Sequence, residues 1–396
     1  MKICMLNTLF PPNIVGGAEK SVSLLAAAHV KNGHSVSVVS LHNSAQEKLE
    51  DWNGVRAYYL PLHNIYWPFQ TIKKPPSFMR LWWHIKDMWN HKAAKMVGQI
   101  LDIEKPDVFH TNNLTGFSVA VWWEAKKRNI RIVHTLRDNS LLCAKGTLFN
   151  YGKSCRARCV PCVLLTAPKS LATAFVDEVI GNSHYTLNEH VKRRYFNKSG
   201  QRAVYNIADV APMPMQPIIK NAHGEIIFGF LGRIEDEKGI QILLQACMQL
   251  PKTGWRLRIA GCGRDAYVAE LKRRYQYSPI EWMGFVEPDS LFDNINALVS
   301  PSIGPESLSR TVIEAAARGI PVLLSNAGGQ SELIAAGISG IVYPAMDVNA
   351  LAGHMLDILN ENGPFFNGSL THAQTLNWAN KFSAATISEA NMATYK

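Results

Sequence analysis

KICMLNTLFPPNIVGGAEKSVSLLAAAHVKNGHSVSVVS, residues 2–40, opens a grammar that runs through the chain. Residues 2–6 are a short apolar run, and a loop rich in Pro and Asn follows, ending at Gly16-Gly17. From Ala18 to Lys31 the apolar positions Val22, Leu25 and Val30 fall near one face, which predicts a helix. Residues 35–40 alternate and read as a second strand. This is a βαβ unit with glycines in its first turn. Further apolar runs at Val55–Leu60, Val108–His110, Ile130–His134 and Glu178–Gly181 alternate with helical stretches. Strand and helix in alternation predict an α/β fold on a parallel sheet.

The grammar restarts at residues 226–232, IIFGFLG, a strand ending in Gly. A helix over Gly239–Leu250 follows, then strands at Arg256–Ala260, Glu281–Gly284, Ala297–Ser300 and Pro321–Ser325. Two Rossmann-like, doubly wound domains are expected, at 1–205 and 206–375, with a C-terminal helix in 376–396 crossing back to the first. The Pro-rich stretch 206–222 marks the linker. Two such domains facing each other would bind ligands at the carboxyl ends of their strands. A chain of 396 residues suits this count, and its composition, 47% hydrophobic and 18% charged, excludes a disordered or fibrous chain. No apolar run reaches the roughly 18 residues of a spanning helix, and residues 1–10 lack the apolar core of a signal peptide. A cytoplasmic protein is the expectation.

Residues 1–200 carry 26 Lys and Arg against 13 Asp and Glu, while the remainder carries 15 against 18. The whole positive surplus sits in the first half. Such a half suits an anionic partner: nucleic acid, a phosphorylated substrate or an anionic membrane.

Three constellations carry chemistry. Glu306-Ser-Leu-Ser-Arg-Thr-Val-Ile-Glu314 enters an Ala-rich helix stopped by Gly319 and Pro321. Eight helical residues would span about 12 Å. That is too far for a hydrolase acid–base pair, at about 5–9.5 Å, but it suits two contacts on one elongated ligand. Two solvated helix carboxylates are the plainer alternative. Next, a strand ends at Gly232-Arg233, and Lys238-Gly239 precedes a helix, an arrangement suited to a diphosphate. Finally, Gly328-Gly329-Gln330-Ser331-Glu332 follows the strand at Pro321–Ser325, and paired glycines admit close backbone approach to a ligand.

Taken in order, Gly232-Arg233, Lys238-Gly239, Gly261-Cys262-Gly263, Glu306 to Glu314, Gly319-Ile320-Pro321-Val322 and Gly328-Gly329 to Glu332 resemble glycosyltransferase family 4, of the GT-B fold. Pro11-Pro12, Gly16-Gly17-Ala18-Glu19 and Val204-Tyr205-Asn206 extend the resemblance over nearly the whole chain. It implies a retaining transfer from a UDP-, GDP- or ADP-sugar to a saccharide or lipid-linked acceptor in surface polysaccharide synthesis. By the same resemblance Glu314 would bind the donor ribose and Glu306 would lie near the donor sugar. Arg233 and Lys238 would neutralise the leaving diphosphate, so that no catalytic metal is needed. Amides near Gly16, Gly17, Ser307, Leu308 and Ser309 would cradle phosphate or sugar. Ser309 stands where the family usually has Gly. Where the family often shows His-Asp, this chain reads His134-Thr-Leu-Arg137-Asp138, and His134 is preferred over Arg137 as the sugar contact.

Cys143, Cys155, Cys159 and Cys162 form a C-x11-C-x3-C-x2-C run within the insertion 143–162. It admits a structural zinc, free thiols or a redox pair. From Pro76 to 101 a single helix is expected, with Phe78, Leu81, Trp82, Ile85, Met88 and Trp89 on one stripe. Lys73, Lys74, Arg80, Lys86, Lys92 and Lys95 surround that stripe. It reads either as an inner-membrane interface helix, making the protein peripheral on the cytoplasmic face, or as a helix packed on the sheet. A nucleic-acid-binding protein is the competing class. It would require a recognition motif, and the chain shows none, so no nucleic-acid partner is expected.

Overall fold

The computed structural model describes residues 1–69, 75–207, 213, 217–276, 278–335, 340–366 and 381–396. They divide into two compact units: Met1–Leu148, Arg156–Ile207 and Ser383–Lys396 in one, Phe149–Cys155 and Ala208–Phe382 in the other. The division falls after Ile207, two residues beyond the expected boundary, and most of the linker lies outside the described residues. The insertion 143–162 does not stay whole in the first unit. Its middle, Phe149–Cys155, groups with the second, where Ser154 Oγ donates to the Ile303 carbonyl at 3.1 Å.

The first unit contains β1 (Lys2–Leu6), α1 (Gly17–Lys31), β2 (Ser35–His42), β3 (Lys48–Trp52), β4 (Val55–Pro61), α2 (Ser77–Met88), α3 (His91–Glu104), β5 (Val108–Thr111), α4 (Ala120–Lys127) and β6 (Arg131–Leu136). After the hairpin strands β7 (Phe149–Asn150) and β8 (Lys153–Ser154), which belong to the second unit, it resumes with α5 (Val160–Ala172), β9 (Glu178–Gly181), α6 (His184–Val191) and β10 (Gly200–Ala203). The strands order as β10-β9-β6-β5-β1-β2-β4-β3, and every pairing is parallel except β3 with β4. Helices cover both faces, so the inner strands are buried throughout rather than alternately: Ile3 to Leu6 and Val36 to Leu41 are buried without a break, Ser37 and Ser40 included.

The helix expected from Pro76 to 101 is two helices. Asn90 breaks it, its side chain accepting the Ala93 amide at 3.2 Å as the N-cap of α3. Helix α2 turns only Trp83 and Asp87 inward. Its stripe of Phe78, Leu81, Trp82 and Ile85 is exposed, Phe78 at 65% and Trp82 at 59%. The packed-on-the-sheet reading of that stripe is therefore overturned. Lys73 and Lys74 lie outside the described residues.

The second unit holds a wholly parallel sheet of β11 (Ile226–Leu231), β12 (Trp255–Ala260), β13 (Ile280–Gly284), β14 (Ala297–Ser300), β15 (Val322–Ser325) and β16 (Gly340–Tyr343), ordered β13-β12-β11-β14-β15-β16. Around it run α7 (Ile240–Cys247), α8 (Asp265–Arg274), α9 (Pro288–Phe292), α10 (Arg310–Ala317), α11 (Glu332–Ala335) and α12 (Val348–Leu359). Phe228, Leu243, Leu257, Val299 and Leu351 knit strands and helices into one core. The last helix, α13 (Ala384–Tyr395), returns to the first unit.

Candidate functional site

In the second unit the strand order reverses between β11 and β14, and at such a point the carboxyl ends of a parallel sheet open a crevice. Beyond β11 lie Gly232 and Arg233, and beyond β14 runs the loop to Ser309. Their approach is close enough to require glycine. Gly239 has φ 69°, and a Cβ there would sit 1.8 Å from the Pro301 carbonyl oxygen. Gly328, at φ 76°, would place a Cβ 2.2 Å from the Glu306 carbonyl oxygen, which also accepts the Gly329 amide at 2.7 Å. The Gly328-Gly329 pair thus clamps the backbone of Glu306. The close approach it permits is to the chain itself.

Clamped this way, the Glu306 carboxylate pairs with the Lys238 ammonium and accepts from Ser302 Oγ at 3.4 Å. Burial pushes the Glu306 carboxyl up, but Lys238 and Arg233 together outweigh it and hold the group below its ordinary value. The guanidinium of Arg233 is largely exposed and reaches Glu237 Oε1 at 3.1 Å. The Glu237 carbonyl in turn accepts the amides of Ile303 and Gly304, both at 2.9 Å, which ties the two loops together. Gln330 braces the floor: it accepts from Ser300 Oγ at 2.8 Å and donates to the Ser325 carbonyl at 2.9 Å. Sequence reading passed over Ser302 and gave Gln330 no role of its own within the Gly-Gly motif, since a polar residue in a loop announces no partner.

Helix α10 begins at Arg310, with Ser309 as its N-cap residue, not at Glu306. The helical spacing of about 12 Å between Glu306 and Glu314 therefore does not apply. The amides that open the helix follow Ser309 rather than Ser307. Glu314 lies one turn inside, nearly buried, and accepts from Arg310 Nε at 2.8 Å. Leu308 is buried as core, and Ser309 Oγ lies 3.1 Å from Thr311 Oγ1.

The first unit has its own reversal, between β5 and β1. Gly16 caps α1 and Gly17 begins it. The Gly16 amide, expected to face a ligand, donates instead to Glu19 Oε2 at 2.8 Å, and burial raises the Glu19 carboxyl. His134, the preferred sugar contact, sits inside the fold. Its Nδ1 meets Thr111 Oγ1 at 2.9 Å, and its ring stacks on Phe196 at 5.8 Å with the edge of Trp122 5.1 Å away. Burial first, then His190 and Arg137, lower it to about 3, so it stays neutral. Packed in this way, it still borders a small cavity at the end of β6 that Arg137 lines as well. Arg137, just past the end of β6, is the basic group at the sheet edge. It donates to Asn112 Oδ1 at 2.8 Å and to Asn206 Oδ1 at 2.7 Å, and it lines a small cavity with Asn112, Asn113 and Asp138. In the cysteine run, Cys143 and Cys162 are buried, Cys155 is half-buried and Cys159 is exposed.

Comparison with known proteins covers both units. The sequence model described as "Glycosyl transferases group 1" matches residues 225–361, and that described as "Glycosyl transferase 4-like domain" matches residues 16–206. A 42.6 kDa protein from the cps region of Klebsiella pneumoniae is 34% identical over 333 residues, 84% of this chain and 87% of that protein. Among solved structures, the Anabaena protein HepE in complex with UDP and glucose superposes with a TM-score of 0.69 at 20% identity, over 100% of this chain and 99% of that one. A lipopolysaccharide outer core galactosyltransferase, WaaB, gives 0.65 at 16% identity, over 100% and 99%.

Proposed function

The chain is a glycosyltransferase of the group 1 family with a 4-like N-terminal domain and the GT-B fold, and from that premise we propose that it transfers a sugar from a nucleotide-sugar donor, with retention, to a lipid-linked saccharide in surface polysaccharide synthesis. The observation that carries the donor reading is the Lys238–Glu306 pair, clamped by Gly328 at the switch point of the second sheet. Lys238 and Arg233 supply two cations where a diphosphate would leave. The opening turn of α10 adds amides pointing the same way in electrostatic sense. Glu306, kept ionised by Lys238, orients that ammonium and offers an acceptor to sugar hydroxyls. Glu314 offers its carboxylate to the ribose. In the first unit Arg137 and His134 line one small cavity at the sheet edge, placed to meet the sugar or its acceptor.

The structures with UDP support a uridine nucleotide first, and the cps-region relative supports a polysaccharide product. The exposed apolar stripe of α2, with Arg80 and Lys86 on the same helix, supports an acceptor held at the inner face of a membrane. The decisive experiment is a panel of UDP-, GDP- and ADP-sugars. Nucleotide release is measured with and without a membrane extract, and the anomeric configuration of the product is read by NMR. One donor should be consumed faster when acceptor is present, without inversion. Release from none of them would overturn the donor reading, and an inverted product would overturn retention.

A further inference from the structure

The cysteine run between β6 and α5 is absorbed by neither sheet edge, and it does not fit the structural zinc that its spacing admits. Among the described residues no three His, Cys, Asp or Glu side chains come together as a metal-holding group. Cys155, moreover, belongs to the second unit, while Cys143, Cys159 and Cys162 belong to the first. What the fold builds is a pair at the start of a helix. Cys159 is the N-cap residue of α5, and its carbonyl accepts the Val163 amide at 2.9 Å, so it already sits on the helical path. Cys162 is the third residue inside. On such a path Cα atoms three residues apart stand about 5 Å from each other. That lies within the range of about 4.4–6.8 Å that a disulfide spans, so a bridge between them closes by side-chain rotation.

The two thiols are unlike. Cys159 is exposed, whereas Cys162 is buried and its thiol donates to Cys143 Sγ at 3.7 Å. A cap side chain faces the amides of the second and third helical residues. The second is Pro161, which has no amide hydrogen, so the amide of Cys162 is left to serve Cys159. That amide first, then the Cys162 thiol, hold the Cys159 thiol below its ordinary value, and Lys145 adds a positive charge. Burial pushes the Cys162 thiol up to about 12. An exposed sulfur that ionises readily, beside a buried one that keeps its proton, is the division between attacking and resolving thiol in disulfide exchange.

The geometry points to Cys159 and Cys162 as a redox-active dithiol that closes to a disulfide by exchange with a small-molecule disulfide. The Cys159 sulfur, its proton given to water, attacks one sulfur of the small disulfide. That S–S bond breaks, and the departing thiolate takes up a proton from water. The Cys162 sulfur then attacks the Cys159 sulfur of the mixed disulfide, and the second small thiol leaves with the Cys162 proton. The pair loses two electrons, and the small disulfide is reduced to two thiols.

The test is incubation of the purified full chain in glutathione buffers from reduced to oxidised, with free thiols blocked and bridges mapped by mass spectrometry. One two-electron transition that joins Cys159 to Cys162 is expected. With iodoacetamide at neutral pH, Cys159 should be alkylated at least about fivefold faster than Cys262, which is also exposed. Cys162→Ser should trap Cys159 as a lasting mixed disulfide with glutathione, and Cys262→Ser should behave as the unaltered protein. Because a variant that fails to fold would also react differently, the alkylation rates and the bridge map of the unaltered protein decide independently. Equal rates at Cys159 and Cys262, a bridge from Cys143 to Cys162 in its place, or no bridge at all would overturn the pair. None of these readings depends on which sugar is transferred.

Discussion

Lys238 and Glu306 show how one contact can be structural and functional at once. Their side chains are mostly shielded, so removing one leaves the other charge without its partner. Lys238→Met should cost about 1.5–3 kcal/mol of stability, the range for a lost hydrogen bond to a charged group. The double variant Lys238→Met with Glu306→Gln should be more stable than the two single costs added together imply. Urea unfolding of the four proteins checks this as a double-mutant cycle, and additive costs would mean that the pair is not coupled. Donor turnover should fall in both single variants. The pair was legible from sequence as two separate motifs, since basic and acidic residues near strand ends announce charge chemistry. The contact between them was not, because it depends on two loops 68 residues apart meeting over Gly239 and Gly328. His134 shows a second limit of sequence reading. On a strand buried on both faces every residue from Ile132 to Leu136 is inside, so no alternation marks which histidine faces a ligand.

At the scale of elements, most of the parallel strands were readable and helix ends were not. The apolar stripe continues through Trp89, and only the capping side chain of Asn90 separates α2 from α3. A C-terminal helix returning to the first domain was expected, but the anchors of α13 were hidden for another reason: they are far away in sequence. Tyr395 Oη lies 2.6 Å from His110 Nδ1 and 3.2 Å from His29 Nε2, while Ser388 Oγ meets His29 Nδ1 at 3.0 Å. Burial first, with His34 assisting, lowers His29 to about 4, and burial, Arg137, His29 and His134 lower His110 well below its ordinary value. Both groups are neutral in the fold but protonate near pH 6.5 once unfolded. The unfolded chain therefore binds more protons between about pH 6.5 and 4. Their contribution is present above that window and is lost as pH falls through it, by about 1.4 kcal/mol per pH unit for each group. Asp87 opposes this, because burial raises it to about 6 against Lys169 and the Gly116 amide. His134 and His190, lowered by burial to about 3 and about 4, act with His29 and His110, while the raised Glu19 acts with Asp87. The four histidines outnumber the two carboxyls, and the unfolding midpoint should fall between pH 6.5 and 4.5. His29→Gln should flatten that fall, and Tyr395→Phe should loosen α13, seen as faster amide exchange across Ala384–Tyr395. An acid slope unchanged in His29→Gln would show that the latch does not titrate.

For the chain as a whole, charge and exposed apolar surface coincide in one unit. Residues 1–200 hold 26 basic against 13 acidic residues, and nearly all of them belong to the first unit. There α2 directs Phe78, Leu81, Trp82 and Ile85 outward, and the neighbouring α5 exposes Val160, Val163, Leu164 and Leu171. Interior packing explains neither set, since α2 is held by Trp83 and Asp87, with the Trp83 indole donating to the Tyr66 carbonyl at 3.0 Å. An aromatic and aliphatic face rimmed by Lys and Arg suits the interface of an anionic bilayer. Each basic side chain near such a surface contributes about 1 kcal/mol, fading within a Debye length of about 10 Å at 0.1 M salt. Binding to anionic vesicles should therefore be strong at low salt and weak at high salt. Arg80→Glu with Lys86→Glu should weaken it by reversing charge, and Trp82→Ser by removing buried ring area. These residues belong to the first unit and the proposed donor residues to the second, so donor use with a soluble acceptor analogue should persist in all three variants. Sedimentation with vesicles of anionic and of neutral lipid separates the outcomes. Equal binding to both would leave the apolar face alone in charge, and no binding to either would mean that the stripe on α2 meets something other than a membrane.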